Sequence, residues 1–212
     1  QPMEDPRLLN LYGAYDGQYI IVQSTNNACV SLRRFRDTFG REAARQDQAA
    51  GCGIYPYLDR LAHTAPAGAG GLIWLPDLAG EQSPVWDTRA RGVFYGAGLE
   101  TDYPSFIRAV LEGVAFSQRH CLEVVLDRAA RPDIIPLGGG AANSPLWCRI
   151  FADVLGIPVA RLRSNETETL GDIIIAAQAM GIREIAPDFG KVLAADAEVF
   201  WPDDVRACVY DR

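Results

Sequence analysis

The pattern of apolar and polar positions changes period several times along the chain. Residues 17–24, GQYIIVQS, are aromatic and β-branched after a glycine, which predicts a strand. From Ala28 to Phe39 the apolar positions recur at helical spacing, and Gly40 is a suitable stop. Residues 41–50, polar and alanine-rich, extend the helical connection. GIYPYLDRLAHTAP reads as a short helix broken by Pro56, APAGAGG (65–71) as a loop, and LIWLP (72–76) as a short buried strand. Residues 77–103 have no period. A stretch of that length without elements of its own is functional or wraps a partner surface.

The strongest helical pattern follows. Pro104 fits its first position. Phe106, Ile107, Val110, Leu111, Val114, Cys121, Leu122 and Val125 form one apolar face. Gly113 inside it costs about 1 kcal/mol against Ala, so a close backbone approach is expected there. DIIPL (133–137) is a strand, with Pro136 placed at its end because proline donates no ladder hydrogen bond. Ser144 is a good N-cap, Pro145 a good first residue and Gly156 a good stop for the next helix. IPVAR (157–161) is a strand, and TLGDIIIAAQAMG a helix ending at Gly181. EVFWPDDVRACVY reads as a polar tail with aromatic anchors. No repeat, linker or boundary interrupts the order, which predicts one α/β domain over 1–212.

Composition narrows the function. Hydrophobic residues make up 49% of the 212, enough for a real core. The net charge of −7 and the scattered basic residues exclude a nucleic-acid-binding surface. Arg33, Arg34 and Arg36 with Asp37 read as a solvated helix face. Five cysteines, odd in number and without CxxC, predict reduced thiols in the cytoplasm, most of them packed as small hydrophobes. His63 and His120 lack a second histidine at ligand spacing, so no metal site is expected. No apolar run is long enough to span a membrane. The chain starts at Gln1 rather than Met, as a processed product or a piece of a longer protein does.

GGGAANSPLWCRIFADVLG (138–156) carries the candidate chemistry. Glycines after a strand and before a helix let a ligand lie against the backbone, and the first helical turn favours negative charge or a lone pair. A nucleotide is a suitable guest. Neither GxxxxGK[ST] nor GxGxxG with its acidic residue is present, which disfavours P-loop and dinucleotide enzymes.

The same stretch resembles the adenine-side motif of the FGGY carbohydrate kinases. LPDLAGEQSPVWDTRARGVFYG resembles that family's LPYLxGERxPxWDxxARGxxxG segment, with Gln82 in place of Arg. RAVLEGVAFSQRHCLE resembles the helix that follows it, and ETLGDIIIAAQAMGI the late helix, with Asp172 where Ala is common. The four segments occur in the family's order, and the subgroup most resembled acts on pentuloses such as xylulose. The resemblance implies an RNase H-like domain of the actin/Hsp70-like ATPase fold, with a mixed sheet flanked by helices. It is the second, C-terminal domain of such a kinase, without that domain's first hairpins and without the N-terminal domain. It implies ATP and Mg2+ as cofactors, a sugar substrate and the N-terminal kinase domain as partner in the complete enzyme, and inactivity of these residues alone. A cleft face left uncovered predicts an apolar patch or a homodimer.

By resemblance the nucleotide meets the backbone at Gly139, Gly140 and Ala141, with Asn143 or Ser144 near the adenine or ribose. Where the family has Gly-Gly, near NNACVSLRRF, this chain has Cys29 and Val30, whose side chains crowd or reshape the pocket; Arg33 reaches the cleft or stays on the surface. No catalytic residue is assigned. Asp16 in AYDGQY belongs to a hairpin turn rather than to the family's base. Asp87, Arg89 and Arg91 read as loop-fixing ion pairs or contacts to the further domain, Trp86 and Trp147 as packing aromatics, and Glu112 and Glu123 as solvated. His120 and Cys121 are adjacent on a helix and do not face each other. The alternative reading is a stand-alone, non-catalytic nucleotide-binding or interaction module derived from such a kinase, and an actin-like or Hsp70-like ATPase scaffold is a third.

Overall fold

In the computed structural model, which describes residues 3–13, 17–162, 167–182 and 197–211, helices surround a small mixed sheet, and two separate ribbons flank them. The first ribbon pairs β1 (Leu9–Tyr12) antiparallel with β2 (Tyr19–Val22), Leu9 opposite Val22 and Tyr12 opposite Tyr19. The sequence showed β2 but not β1, whose four residues are too few to set a period. Gly17 holds φ at +75°, as a tight hairpin exit requires; Asp16 lies outside the described residues.

Helices α1 (Ala28–Phe39), α2 (Arg41–Ala50) and α3 (Ile54–Thr64) follow. Pro56 does not break α3. It is the third residue, in the first turn, where its missing N–H would have had no intrahelical partner. β3 (Ile73–Leu75) pairs antiparallel with β4 (Val93–Tyr95), a strand hidden within the aperiodic stretch. Trp74 and Phe94 are paired and face the core, with ring centroids 4.3 Å apart, while Ile73, Leu75, Val93 and Tyr95 point outward. This two-faced ribbon carries hydrophobic residues on both sides, so no alternation of period two announced it.

The centre of the molecule is α4 (Tyr103–Leu126). It starts one residue earlier than Pro104 suggested, because the Asp102 carboxylate caps it by accepting from Ser105 N at 2.9 Å. Every residue from Ile107 to Ala115 is buried, not one face only. α4 is packed by α1, α3, β3 and the later helix α5 (Pro145–Leu155) together. The close approach expected at Gly113 is present: a β-carbon there would lie 2.2 Å from the Trp74 carbonyl oxygen.

Burial on all sides also overturns the reading of Glu112 as solvated. It is 2% exposed and receives Arg108 Nε at 2.6 Å, the Tyr210 hydroxyl at 2.7 Å and Gly68 N at 3.1 Å. Burial pushes its carboxyl pKa up, and Arg108 opposes that shift. Glu123 does sit at the surface, 2.9 Å from Arg119.

The mixed sheet has the order β5 (Ile135–Leu137), β6 (Val159–Arg161), β7 (Glu198–Phe200), parallel then antiparallel. Pro136 is central in β5, not terminal. β5 is an edge strand among the described ones, and Ile135 N and Leu137 O make the bonds towards β6, so the proline nitrogen faces the open edge. The polar tail is a strand followed by α7 (Asp204–Tyr210), whose Asp203 cap accepts from Arg206 N. Arg206 Nε reaches the buried Asp153 carboxylate at 2.5 Å and fastens α7 to α5 (Pro145–Leu155). α6 spans Thr167–Ala179. All five cysteines are free, but only Cys121 and Cys148 are core residues, fewer than expected.

Candidate functional site

The strand-to-helix turn after β5 is built from local chemistry. Gly139 has φ +71° and ψ −160°, a region open essentially to glycine alone. No atom lies within 4 Å of where its β-carbon would be, so the requirement is one of backbone conformation, not of space. A 3-10 turn over Gly140–Asn143 follows, then α5. As expected, Ser144 is the N-cap, accepting from Trp147 N at 3.0 Å, and Gly156, with φ +63°, ends the helix. Trp147 is a core residue whose Nε1 donates to Leu111 O at 2.9 Å, which ties the turn to α4. Trp86, by contrast, is 48% exposed.

The start of α1 is fixed by the segment after β3. Asn27 Nδ2 donates to Gly80 O at 3.2 Å, and Thr25 Oγ1 donates to Glu81 at 2.9 Å. Ser24 bonds Gln82, the residue that departs from the family's Arg. Asp87 accepts from Arg89 N and Nε, and Arg91 donates to Thr88 O and Ala90 O. These three residues fix their own loop, as read from the sequence.

Between α1, α3 and the glycine turn lies a mainly apolar cleft of about 330 Å3, within the range of small-molecule sites. α1 contributes Cys29, Val30 and Arg33; α3 contributes Tyr55, Pro56 and Asp59; the turn and α5 contribute Gly140, Asn143, Ser144 and Trp147. Of the five expected nucleotide residues, Gly140, Asn143 and Ser144 line this cleft. Ala141 is buried and lines a neighbouring apolar cavity with Cys29 and Gly138, and Gly139 shapes the turn without lining the cleft. Cys29 and Val30 are in the wall, and the Cys29 sulfur would lie 3.4 Å from a β-carbon on Gly140. Arg33 faces the cleft, so the Arg33, Arg34, Arg36 group is not wholly a solvated face. Arg36 alone pairs with Asp37, at 2.6 Å.

Sequence reasoning missed the whole contribution of α3. Tyr55 and Asp59 are one helical turn apart, an ordinary spacing that no motif marks. Arg36 Nη1 donates to the Tyr55 hydroxyl at 2.6 Å, which leaves the ring to form the wall. Burial pushes the Asp59 carboxyl pKa up, opposed by a hydrogen bond from Ser144.

A second cavity, of about 440 Å3, lies under β3 and the 77–85 segment, with Asp77, Glu81, Ser117 and His120 in its wall. Burial, then the hydrogen bond and charge of Glu81, push the Asp77 carboxyl up to about 6. Among the described residues no three acidic, histidine or cysteine side chains converge on a point that would hold a metal ion. Among the same residues no helix is long and apolar enough to cross a membrane.

A mixed sheet wrapped by helices thus carries an apolar cleft beside its glycine turn. The sequence pattern of the FGGY family of carbohydrate kinases, C-terminal domain, matches residues 4–180, and the chain belongs to that family. It is 30% identical to the xylulose kinase of Staphylococcus epidermidis over 152 residues, 72% of this chain and 31% of that protein. To the gluconokinase of Bacillus subtilis it is 29% identical over 177 residues, 80% of this chain and 33% of that one. The crystal structure of ligand-bound xylulose kinase from Lactobacillus acidophilus superposes with a TM-score of 0.83 at 28% identity, covering 100% of this chain and 41% of that one. The chain thus spans about a third of the length of these curated relatives.

Proposed function

We propose that these residues are the ATP-binding half of a sugar kinase that transfers the γ-phosphoryl group of ATP to a sugar hydroxyl, the sugar being a pentulose such as xylulose. The observation that carries this reading is the cleft between α1, α3 and the glycine turn, in a chain of this family. Residues 1–212 act as one RNase H-like domain, the C-terminal domain of the complete enzyme, and the fold is that of the actin/Hsp70-like ATPases. Gly140, Asn143 and Ser144 meet the base and ribose, while Gly139 and Ala141 hold the backbone that does so.

Phosphoryl transfer needs a placed hydroxyl, a base beside it and a cation on the phosphates. The reading assigns these three to the complete enzyme, with Mg2+ riding on the nucleotide, so these residues alone bind without turning over. Bound Mg2+ would neutralise charge on the β- and γ-phosphates. The exposed apolar face of the β3–β4 ribbon supports self-association as a homodimer. Unpaired thiols suit the cytoplasm.

One observation favours the second reading, a non-catalytic nucleotide-binding module: Cys29 and Val30 put side chains into the cleft wall. The test is coupled ADP release by the complete protein over a panel of pentuloses, hexonates and polyols, alongside calorimetric titration with ATP. Sugar-dependent turnover supports the kinase. ATP binding without turnover on any sugar leaves the module, and no ATP binding refutes both.

A further inference from the structure

We infer that Asp59 reads the purine: its carboxylate accepts a hydrogen bond from the exocyclic N6 amine of adenine. The inference rests on the nucleotide reading above and deepens it.

Among the described residues Asp59 is the one acidic side chain in the wall of this cleft. Its placement follows from hydrogen-bond arithmetic at Ser144. That hydroxyl has two acceptor sites and a single proton. It accepts from Trp147 N at 3.0 Å, as the cap of α5, shares the cleft wall with Asp59, and is the neighbour that opposes the upward push of burial on the Asp59 carboxyl pKa. A carboxylate has about four lone-pair sites, and Ser144 can take one at most.

Which part of a nucleotide meets the remaining sites follows from charge and polarity. The triphosphate is excluded, because a like charge beside a half-buried carboxylate is repelled. Arg33, on the facing helix α1, is the cationic side chain of the same wall. The rest of the surroundings, the Tyr55 ring, Pro56, Leu32 and Trp147, is flat and apolar and suits a base better than a polyhydroxyl ribose. A base seated there strips water from Asp59. A guest without a donor would leave the carboxylate unsatisfied, and that is costly. Adenine offers the N6 amine.

The test compares ATP, purine riboside 5′-triphosphate (the same nucleotide without the amine) and 2′-deoxyATP by calorimetry, on the protein and on Asp59→Ala and Asp59→Asn. The unmutated protein should bind ATP roughly tenfold or more tighter than the amine-free analogue, the expected scale for a hydrogen bond to a charged group. Asp59→Ala should lower ATP affinity to that of the analogue and leave the analogue's affinity almost unchanged. Asp59→Asn keeps a carbonyl acceptor and an equal shape, so it should retain part of the preference and the unmutated melting temperature. An ATP-to-analogue ratio that Asp59→Ala and Asp59→Asn leave unchanged overturns the inference, as does a loss confined to 2′-deoxyATP discrimination, which would put the carboxylate on the ribose. If the unmutated protein binds ATP, either result leaves the nucleotide reading standing. If it binds no nucleotide, both fall.

Discussion

Replacing Gly113 by alanine separates two physical effects of opposite sign. Helix propensity alone favours the change, because glycine in a helix interior is about 1 kcal/mol worse than alanine. Packing opposes it. The new methyl would sit 2.2 Å from the Trp74 carbonyl oxygen, where ordinary contact begins near 3.4 Å. Relief requires α4 and β3 to separate by about 1 Å, and the obstacle is backbone held in the β3–β4 ladder, not the end of a flexible side chain. Overpacking of a close-packed core costs about 1–3 kcal/mol and sometimes more, and a rigid backbone contact belongs at the upper end. The net expectation is a loss of about 2 kcal/mol, or roughly 4–8 °C in melting temperature for a chain of this size. Thermal and urea unfolding read it. Because Trp147 ties the glycine turn to Leu111 on α4, ATP affinity should also fall. A Gly113→Ala protein as stable as the unmutated one, or more so, would refute the packing argument.

Glu112→Ala should destabilise by about 3–5 kcal/mol, because it leaves Arg108 buried without its carboxylate. Tyr210→Phe should cost only about 1–2 kcal/mol for its hydrogen bonds to Arg108 and Glu112; urea midpoints compare the two, and equal losses would mean that the charge pair is not the dominant element. Asp77, pushed up to about 6, binds its proton more tightly folded than unfolded, so stability should fall as pH rises from 4 through 6. Asp77→Asn should flatten that slope and gain about 1 kcal/mol above pH 6, a figure reduced for partial exposure; a stability profile over pH 4–8 that the substitution does not change would contradict this. Gly139→Ala should strain the turn by about 1–3 kcal/mol and weaken ATP binding more than it lowers the melting temperature, as calorimetry and melting curves on one preparation would show.

By itself the sequence determined the elements whose signals are local. α1 and α5 were legible because a period of 3.6 and a cap or stop residue agree at Gly40, Ser144 and Gly156. The glycine turn was legible because only glycine serves at Gly139, and the family because four motifs keep their order. What the tertiary structure decided depends on contacts distant in the chain. β1, β4 and β7 are three or four residues long and are strands only because a partner strand satisfies their backbone. Pro136 is admitted to the middle of β5 because its nitrogen faces an edge, a fact fixed by β6. Glu112 is a core residue because Arg108, Tyr210 and Gly68 surround it, and Tyr210 is 98 residues away. Asp59 enters the cleft wall because α3 and α5 both pack on α4, which brings it into one wall with Ser144. Burial and hydrogen-bond partnership are properties of the folded neighbourhood, and no spacing along the chain encodes them.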